Sequence, residues 1–325
     1  MNHPNGDSSA ENPLGKKRRE FLAFLEKYRN SKLVVSSHAN MDLDALCTVY
    51  AMKSLLPNAV MALPDKMEAP AEAFAEKMGM ELVKLEELDP AEYEGLVLLD
   101  CSTSVLFEEG KKWDIKLIVD HHHKSENNID AEITIRDDAA PSAAEMLGEL
   151  LPEISPEVAY ALGVAIISDT ARFKNGRGHT FEVLAKMISI SGKGYRRMLD
   201  DAEPEMGAEY KIAVLEGFRK VKISVHGGYV VATTVVPSHE SLISSSISEF
   251  ADVVFAAKWK NEINETRISS RARKQVPVRL NEVMKELAEE FGGGGGGHAK
   301  AAGCSAKARP AETLDKCIEI FSRKV

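Results

Sequence analysis

The sequence predicts an α/β fold: a doubly wound, mainly parallel sheet domain followed by a smaller mixed α+β domain. Three observations lead there. Up to about residue 192, short apolar runs such as Val34-Val35, Leu96–Leu99 and Leu117–Val119 alternate with segments of helical periodicity. Those runs are continuous, as in elements buried on both faces, and acidic or histidine clusters close them. Beyond about residue 220 the alternation stops and strand-like stretches follow one another.

Residues 1–17 are polar, with Pro4, Gly6, Pro13 and Gly15, and are expected to form a disordered tail. The first domain is assigned to 18–192. It opens with a helix from Arg18 to Tyr28, whose Phe21, Leu22, Phe24 and Leu25 share one face. A strand at Leu33–Ser36 leads into a polar loop and a helix carrying Leu46, Val49, Tyr50 and Leu55. Ala59–Leu63 is a second strand, and Gly79 stops a helix over Ala71–Met78. Leu96–Leu99, Leu117–Val119 and Ile133–Ile135 supply further strands. Ser142 with Glu145 three positions on makes a capping box for a helix through Leu151. Ser155-Pro156-Glu157 opens the next helix, which runs towards Asp169; periodicity leaves open whether Asp169 ends a helix or a strand.

Residues 193–222 are charged and helical, with Arg196, Arg197, Asp200, Asp201 and Glu203, and are expected to link the domains. The second domain, 223–325, has strands at Tyr229–Val236, Val253–Trp259 and Ile263–Arg271, the last two joined by a turn at Lys260-Asn261-Glu262. Asn281 is expected to cap a helix over Glu282–Phe291, which the glycine run Gly292–Gly297 terminates, and Pro310 starts the last helix.

Four clusters carry the chemistry. His38-Ala39-Asn40-Met41-Asp42-Leu43-Asp44 follows Val34–Ser37, Asp100 follows Leu96–Leu99, Asp120-His121-His122 follows Lys116–Val119, and Asp169 follows Val164–Ser168. One such Asp is ordinarily a helix cap or a turn residue. Four in the same context, on the edge of a parallel sheet where binding sites gather, would repel one another without cations. Two divalent ions balance the four negative charges of Asp42, Asp44, Asp100 and Asp169. Oxygen-rich ligation with one or two imidazoles suits Mn2+, with Mg2+ or Co2+ as alternatives. Two such ions about 3.5–4 Å apart can clamp the attacking and leaving oxygens of a phosphoryl displacement.

In the second domain the glycine run has two readings. It is a flexible linker, or its backbone N–H groups form an anion-binding nest in which Gly296 and Gly297 approach a phosphate and His298 donates to it. Arg271 and Arg273, two apart near the end of a strand, are expected to face the same way and line a cleft, unless they belong to a solvated edge.

The chain resembles the DHH phosphoesterase family, whose members include RecJ nucleases, nanoRNase and pAp phosphatases, cyclic-di-AMP phosphodiesterases and family II pyrophosphatases. His38-x-x-x-Asp42-x-Asp44, Asp100, Asp120-His121-His122 and Asp169 carry the resemblance to the first domain. Gly292–Gly297 with His298-Ala299-Lys300-Ala301-Ala302-Gly303 is similar to the signature of the DHH-associated C-terminal domain, which argues against the pyrophosphatase branch. The resemblance covers nearly all of the chain after about residue 18. It implies that His38, Asp42 and Asp100 hold one metal and that Asp44, Asp100, His121 and Asp169 hold the other, with Asp100 bridging. It further implies that Asp120 orients a neighbouring imidazole and that His122 acts on the scissile phosphate or the leaving oxygen. One or both of Arg271 and Arg273 would then bind substrate phosphate.

The function this implies is metal-dependent hydrolysis of short nucleotide substrates, nano-RNA or pAp. Alternatives are a cyclic-di-AMP or linear dinucleotide phosphodiesterase, a single-strand-specific RecJ-like exonuclease, and a catalytically silent nucleic-acid-binding scaffold; a silent relative would be expected to lose ligands, and here all are in place. The net charge of −9 and pI near 5.6 exclude a global basic footprint for long nucleic acid, which leaves short single-stranded oligonucleotides or nucleotide phosphates as partners. Cys47, Cys101, Cys304 and Cys317 form no CxxC pair. With no apolar run of membrane-spanning length and no signal peptide, the expectation is a cytoplasmic protein without a membrane partner; a homodimer is left open.

Overall fold

The computed structural model describes residues 13–124, 126–203 and 207–325. Most of the expected tail lies outside these residues, but Pro13–Tyr28 is one helix, α1, so residues 13–17 are helical. Pro13, read as a tail residue, takes the first position of a helix, where its missing N–H costs nothing. The chain divides near residue 205 into two compact units.

The first unit is built on six parallel strands. In chain order its elements are β1 (Leu33–Ser36), β2 (Asn40–Met41), α2 (Leu43–Leu55), β3 (Val60–Leu63), β4 (Lys66–Met67), α3 (Ala69–Met78), β5 (Val83–Lys84), β6 (Gly95–Leu99), β7 (Ile115–Asp120), β8 (Ile133–Arg136), α4 (Ala143–Leu150), α5 (Pro156–Asp169), α6 (Gly178–Ser191) and α7 (Tyr195–Ala202). The sheet order is β5-β3-β1-β6-β7-β8, and β2 pairs with β4 in a separate parallel ribbon. Strand order therefore reverses between β1 and β6, the place where ligands bind in open α/β sheets.

Alternate strand residues bury against opposite faces. Leu33, Val35, Val97, Leu99, Leu117 and Val119 join the core formed with α1, α2, α4 and α5. Val34, Leu96, Leu98 and Ile118 turn to the other face, where Phe107, Trp113 and Leu85 cover them. Helix α5 is buried at every residue from Val158 to Ile167, which resolves the ambiguous run before Asp169 as a central helix.

The segment expected to link the domains, 193–222, divides between the units. Met198 is fully buried, so close to Gly163 of α5 that a Cβ there would meet its sulfur at 2.6 Å, which ties α7 into the first unit. Of the charges read as linker character, Arg196, Arg197 and Asp200 are exposed on α7, while Asp201 turns inward to Tyr160 and Lys77. The next helix, α8 (Ala208–Arg219), belongs to the second unit.

The second unit continues with β9 (Lys222–His226), β10 (Tyr229–Val235), α9 (Glu240–Ile247), β11 (Val253–Lys260), β12 (Glu265–Ala272), α10 (Leu280–Phe291), β13 (Gly295–Gly297), β14 (Ala301–Ala306) and α11 (Pro310–Lys324). Its mixed sheet runs β13-β14-β12-β11-β10-β9, with β10 and β11 parallel and the other pairs antiparallel. Helices α10 and α11 pack on one face, α8 and α9 on the other. Helix α10 starts at Leu280 with Arg279 at its cap, so Asn281 lies inside the first turn and caps nothing. Among the described residues, no helix is long and apolar enough to cross a membrane.

Candidate metal centre

The ends of β1, β6 and β7 and of α5 bring the four clusters together. Past β1, Asp42 caps α2, its Oδ1 accepting from Ala45 N at 3.0 Å, and the same oxygen lies 4.0 Å from His38 Nε2. Capping and ligation are therefore compatible in this residue. Asp44, in the first turn of α2, is buried, and both its oxygens accept from the N-terminus of α4, Ala143 N at 2.7 Å and Ala144 N at 2.9 Å. A helix N-terminus favours an anion there. Asp100 follows β6 with φ +54°, a left-handed conformation in which a non-glycine residue is uncommon and which Asp tolerates better than most. Its Oδ2 lies 3.5 Å from His38 Nε2, and its Oδ1 lies 3.2 Å from His121 Nε2 and 3.7 Å from His122 Nδ1. Asp169 is the last residue of α5, and its Oδ2 stands 3.5 Å from His121 Nε2.

Three overlapping sets result, each with ligand atoms within 4.8 Å of one another: His38, Asp42 and Asp100; Asp44, His121 and Asp169; and Asp100, His121 and His122. Asp100 belongs to two of them. His121 Nδ1 faces the Ala140 carbonyl at 3.2 Å, an arrangement that leaves Nε2 for a metal. His122 Nδ1 is 2.9 Å from Asp120 Oδ1, and Asp120 in turn accepts from Ser102 Oγ, which receives Arg136 Nη2 at 2.5 Å. Asp120 is thus placed against the imidazole of His122. Ser102 and Arg136, which fix Asp120, were not singled out by the sequence; Ser102, two residues past Asp100, offered only its proximity. His123 pairs with Asp138 at 3.1 Å at the surface, outside the site.

In the second unit a cleft of about 650 Å3 is bordered by Arg267, Arg271, Ser241, Ser269 and the glycine strand β13. Arg271 reaches Ser245 Oγ and Ser241 Oγ of α9, each at 3.1 Å. Arg273 departs from expectation. It lies one residue beyond β12, where alternation no longer applies, and its guanidinium donates to the Glu249 carbonyl at 2.5 Å and to Ser248 O at 3.4 Å, at the C-terminal end of α9, away from the cleft. Arg267, four residues before Arg271 on the same strand face, is the arginine that joins it.

The glycine run is ordered structure, not a linker. Gly292 ends α10 at φ +69°, and β13 pairs with β14. A Cβ at Gly293 or Gly295 would stand 1.8 Å from Ser305 O or 2.3 Å from Met284 O, whereas one at Gly294 or Gly296 would meet nothing. Odd positions are glycine for packing, and even ones leave the cleft wall bare. Bonds from Ser305 N to Gly294 O and from His298 N to Ala301 O set the alternation, so the N–H groups of Gly295 and Gly297 point away from β14 at the sheet edge. Gly296 and Gly297 border the cleft; His298 is exposed in the β13–β14 turn and is not among the residues that line it.

Residues 32–167 match the DHH family, N-terminal domain, and residues 240–325 match the DHHA1 domain. The chain thus carries a DHH domain followed by a DHHA1 domain. It is 26% identical over 314 residues to an uncharacterized protein, MJ0988, of Methanocaldococcus jannaschii, covering 92% of this chain and 94% of that protein. An exopolyphosphatase-related protein from Bacteroides fragilis superposes with a TM-score of 0.75 at 15% identity, over 95% of this chain and 96% of the other. CDC45 from Entamoeba histolytica gives 0.50 at 7% identity, over 94% and 99%. At such identities the likeness is one of fold. DHH proteins are metal-dependent hydrolases acting on phosphoester bonds.

The electrostatics of the DHH domain suit a metal-dependent family. Burial, then the neighbouring carboxylates of Asp100 and Asp169, push Asp44 well above the usual carboxylate range. Burial and Asp100 push Asp169 up to about 7. Burial would raise Asp100 too, but the imidazoles of His121 and His38 overcome it and hold it at about 2. Burial would lower His121, yet Asp100 chiefly raises it to about 10. The site thus keeps protons where cations belong. Asp100 Oδ1 and Asp169 Oδ2 are buried without a hydrogen-bond partner, which divalent ions would supply, and the donors are all oxygen and imidazole nitrogen, a set for hard ions.

Proposed function

We propose that the chain is a two-metal phosphoesterase that hydrolyses short nucleotide substrates, oligoribonucleotides of a few residues or nucleotide phosphates such as pAp. The observation that carries this reading is the position of Asp100 at the sheet's switch point, one carboxylate oxygen 3.5 Å from His38 of one ligand set and the other 3.2 Å from His121 of the second. In this reading His38, Asp42 and Asp100 hold one Mn2+, and Asp44, Asp100, His121 and Asp169 hold the second. When bound, the ions supply Lewis-acid stabilisation of the attacking and leaving oxygens.

The chain's own residues do the rest. Helix α4 fixes Asp44 through two backbone N–H groups, and the Ala140 carbonyl fixes the His121 ring, so the ligand set is preorganised. His122, held by Asp120 at Nδ1, keeps Nε2 for a phosphate oxygen or for protonating the leaving oxygen. In the DHHA1 domain Arg271, with Arg267, binds a phosphate of the substrate, and the bare glycine strand lets it approach. The chain's net charge of −9 favours substrates short enough to be held by a few local cations.

The test is hydrolysis by the Mn2+-loaded protein of 5′- and 3′-labelled two- to ten-mers, pAp and cyclic-di-AMP. Turnover of the shortest oligomers or pAp, silenced reversibly by EDTA, is expected. Two bound ions with no hydrolysis of any of these substrates would overturn the reading.

A further inference from the structure

The metal centre leaves the loop behind Asp169 without a role. Ala171, Arg172 and Phe173 are consecutive left-handed residues, with φ of +48°, +57° and +69°, a conformation that residues bearing side chains rarely hold. Backbone bonds pin the turn: Arg172 N to Ile167 O at 3.0 Å and Asn175 N to Thr170 O at 3.1 Å. It presents Phe173 to two rings from neighbouring helices. Phe181 of α6 stacks on it at 4.8 Å between centroids and 29° between planes, and Tyr195 of α7 lies tilted at 6.0 Å. Phe173 is half-buried against the core, but Phe181 and Tyr195 are 52% and 38% exposed.

The cations of the segment are already engaged. Arg172 Nε lies 2.8 Å from Glu203 Oε1, and Arg177 Nε donates to Glu145 Oε1 at 2.6 Å. With those guanidiniums paired to carboxylates, the exposed rings of Phe181 and Tyr195 beside Phe173 are a further surface offered next to the segment. Phe173 stands four residues after Asp169, a reach of at most about 14 Å of chain, on the scale of one to two nucleotides.

We propose that Phe173, Phe181 and Tyr195 form a stacking platform for a nucleobase of the substrate, next to the phosphate attacked at the metal centre. The proposal rests on the phosphoesterase reading and gives it a recognition element. Every base has a π-face, so the platform selects nucleotides over simple phosphate esters without selecting a sequence.

The experiment uses the full-length Mn2+-loaded protein, a dinucleotide, an abasic analogue with the same phosphodiester, and a 2-aminopurine dinucleotide whose fluorescence is quenched on stacking. Phe181→Ala should raise KM for the dinucleotide about 5- to 150-fold and leave the abasic analogue unchanged. Phe181→Trp should restore both KM and quenching. Phe181→Leu, which keeps apolar volume without a π-face, should behave like Phe181→Ala and guards against a folding defect. Equal losses on both substrates, or no loss on either, would overturn the platform. Quenching that depends on Phe181 in a wild-type protein without turnover would sink the hydrolytic reading and leave the platform standing. Turnover or its absence without Phe181-dependent quenching would sink the platform.

Discussion

The metal centre and the DHHA1 cleft are built on opposite principles. In the first, functional groups are locked before any ligand arrives: buried Asp44 by two backbone N–H groups, half-exposed His122 by Asp120, and buried Asp100 by a left-handed backbone at a strand end. In the second, the wall is a strand of glycines and the arginine is held by serine hydroxyls at the surface of a helix. Buried charges need fixed partners, so the first arrangement suits groups that must meet a transition state in one geometry. A half-buried guanidinium beside a bare backbone wall suits a group that grips ground state and transition state alike. Changes at the first region should therefore appear in kcat and changes at the second in KM.

The largest effect is expected from Asp100→Ala. It removes the carboxylate common to both proposed ion sites and leaves His38 and His121 without their shared counter-charge, so turnover should fall by about 1,000-fold or more and both ions should be lost. Calorimetric metal titration beside kinetics checks it; retained stoichiometry would dismiss the bridge. His122→Ala comes next. A proton-transfer group contributes about 100- to 10,000-fold, so kcat should drop by that order while metal content stays at the wild-type level. Loss of an ion in this variant would move His122 from catalyst to ligand, in line with its membership of the Asp100–His121–His122 set.

The same contrast explains what was legible in the sequence. The strands β1, β3, β6, β7 and β8 and the clusters after β1, β6 and β7 could be read directly, because apolar runs end abruptly in groups that cannot be buried unpaired, whereas the two-residue strands β2, β4 and β5 are too short to carry a pattern. Asp169 could not be placed on a strand or a helix, because a fully buried helix loses the 3.6 period. In the second domain β13 and β14, made of glycine, alanine and other small residues, carry no strand signal, and they enter the sheet only because α10 and β14 take the glycine backbone at close range. Arg273 was misplaced because alternation was carried one residue beyond the strand. Ser102 and Arg136 act through Asp120 across 18 and 16 positions, a tertiary relation that no local pattern encodes.

Within the cleft, Arg271→Ala should raise KM for dinucleotides about tenfold or more, the worth of a hydrogen bond from a charged group, with kcat little changed. Arg273→Ala should alter KM less than about threefold, because its guanidinium is occupied by the carbonyls that end α9. Steady-state kinetics of the two variants side by side decides between them. If Arg273→Ala were the more damaging, the cleft would have been drawn around the wrong arginine, and the division between kcat and KM would lose its support on the recognition side.

The smallest effect is in the protons. In the metal-free chain, carboxylate neighbours keep His121 protonated up to about pH 10, and burial with Asp100 keeps Asp169 protonated up to about pH 7. A ligand must shed its proton to bind an ion, so metal loading releases protons. The sign follows from the two values. At pH 8 His121 still carries its proton and Asp169 does not; at pH 6 both do. Proton release per loaded chain should therefore be greater at pH 6 than at pH 8, and apparent Mn2+ affinity should weaken as pH falls through 7. Isothermal titration in buffers of different ionisation enthalpy measures the release directly. Asp169→Asn should flatten the step near pH 7 and keep the release that belongs to His121. A release that did not change between pH 6 and 8 would mean that Asp169 does not exchange its proton for a metal ion.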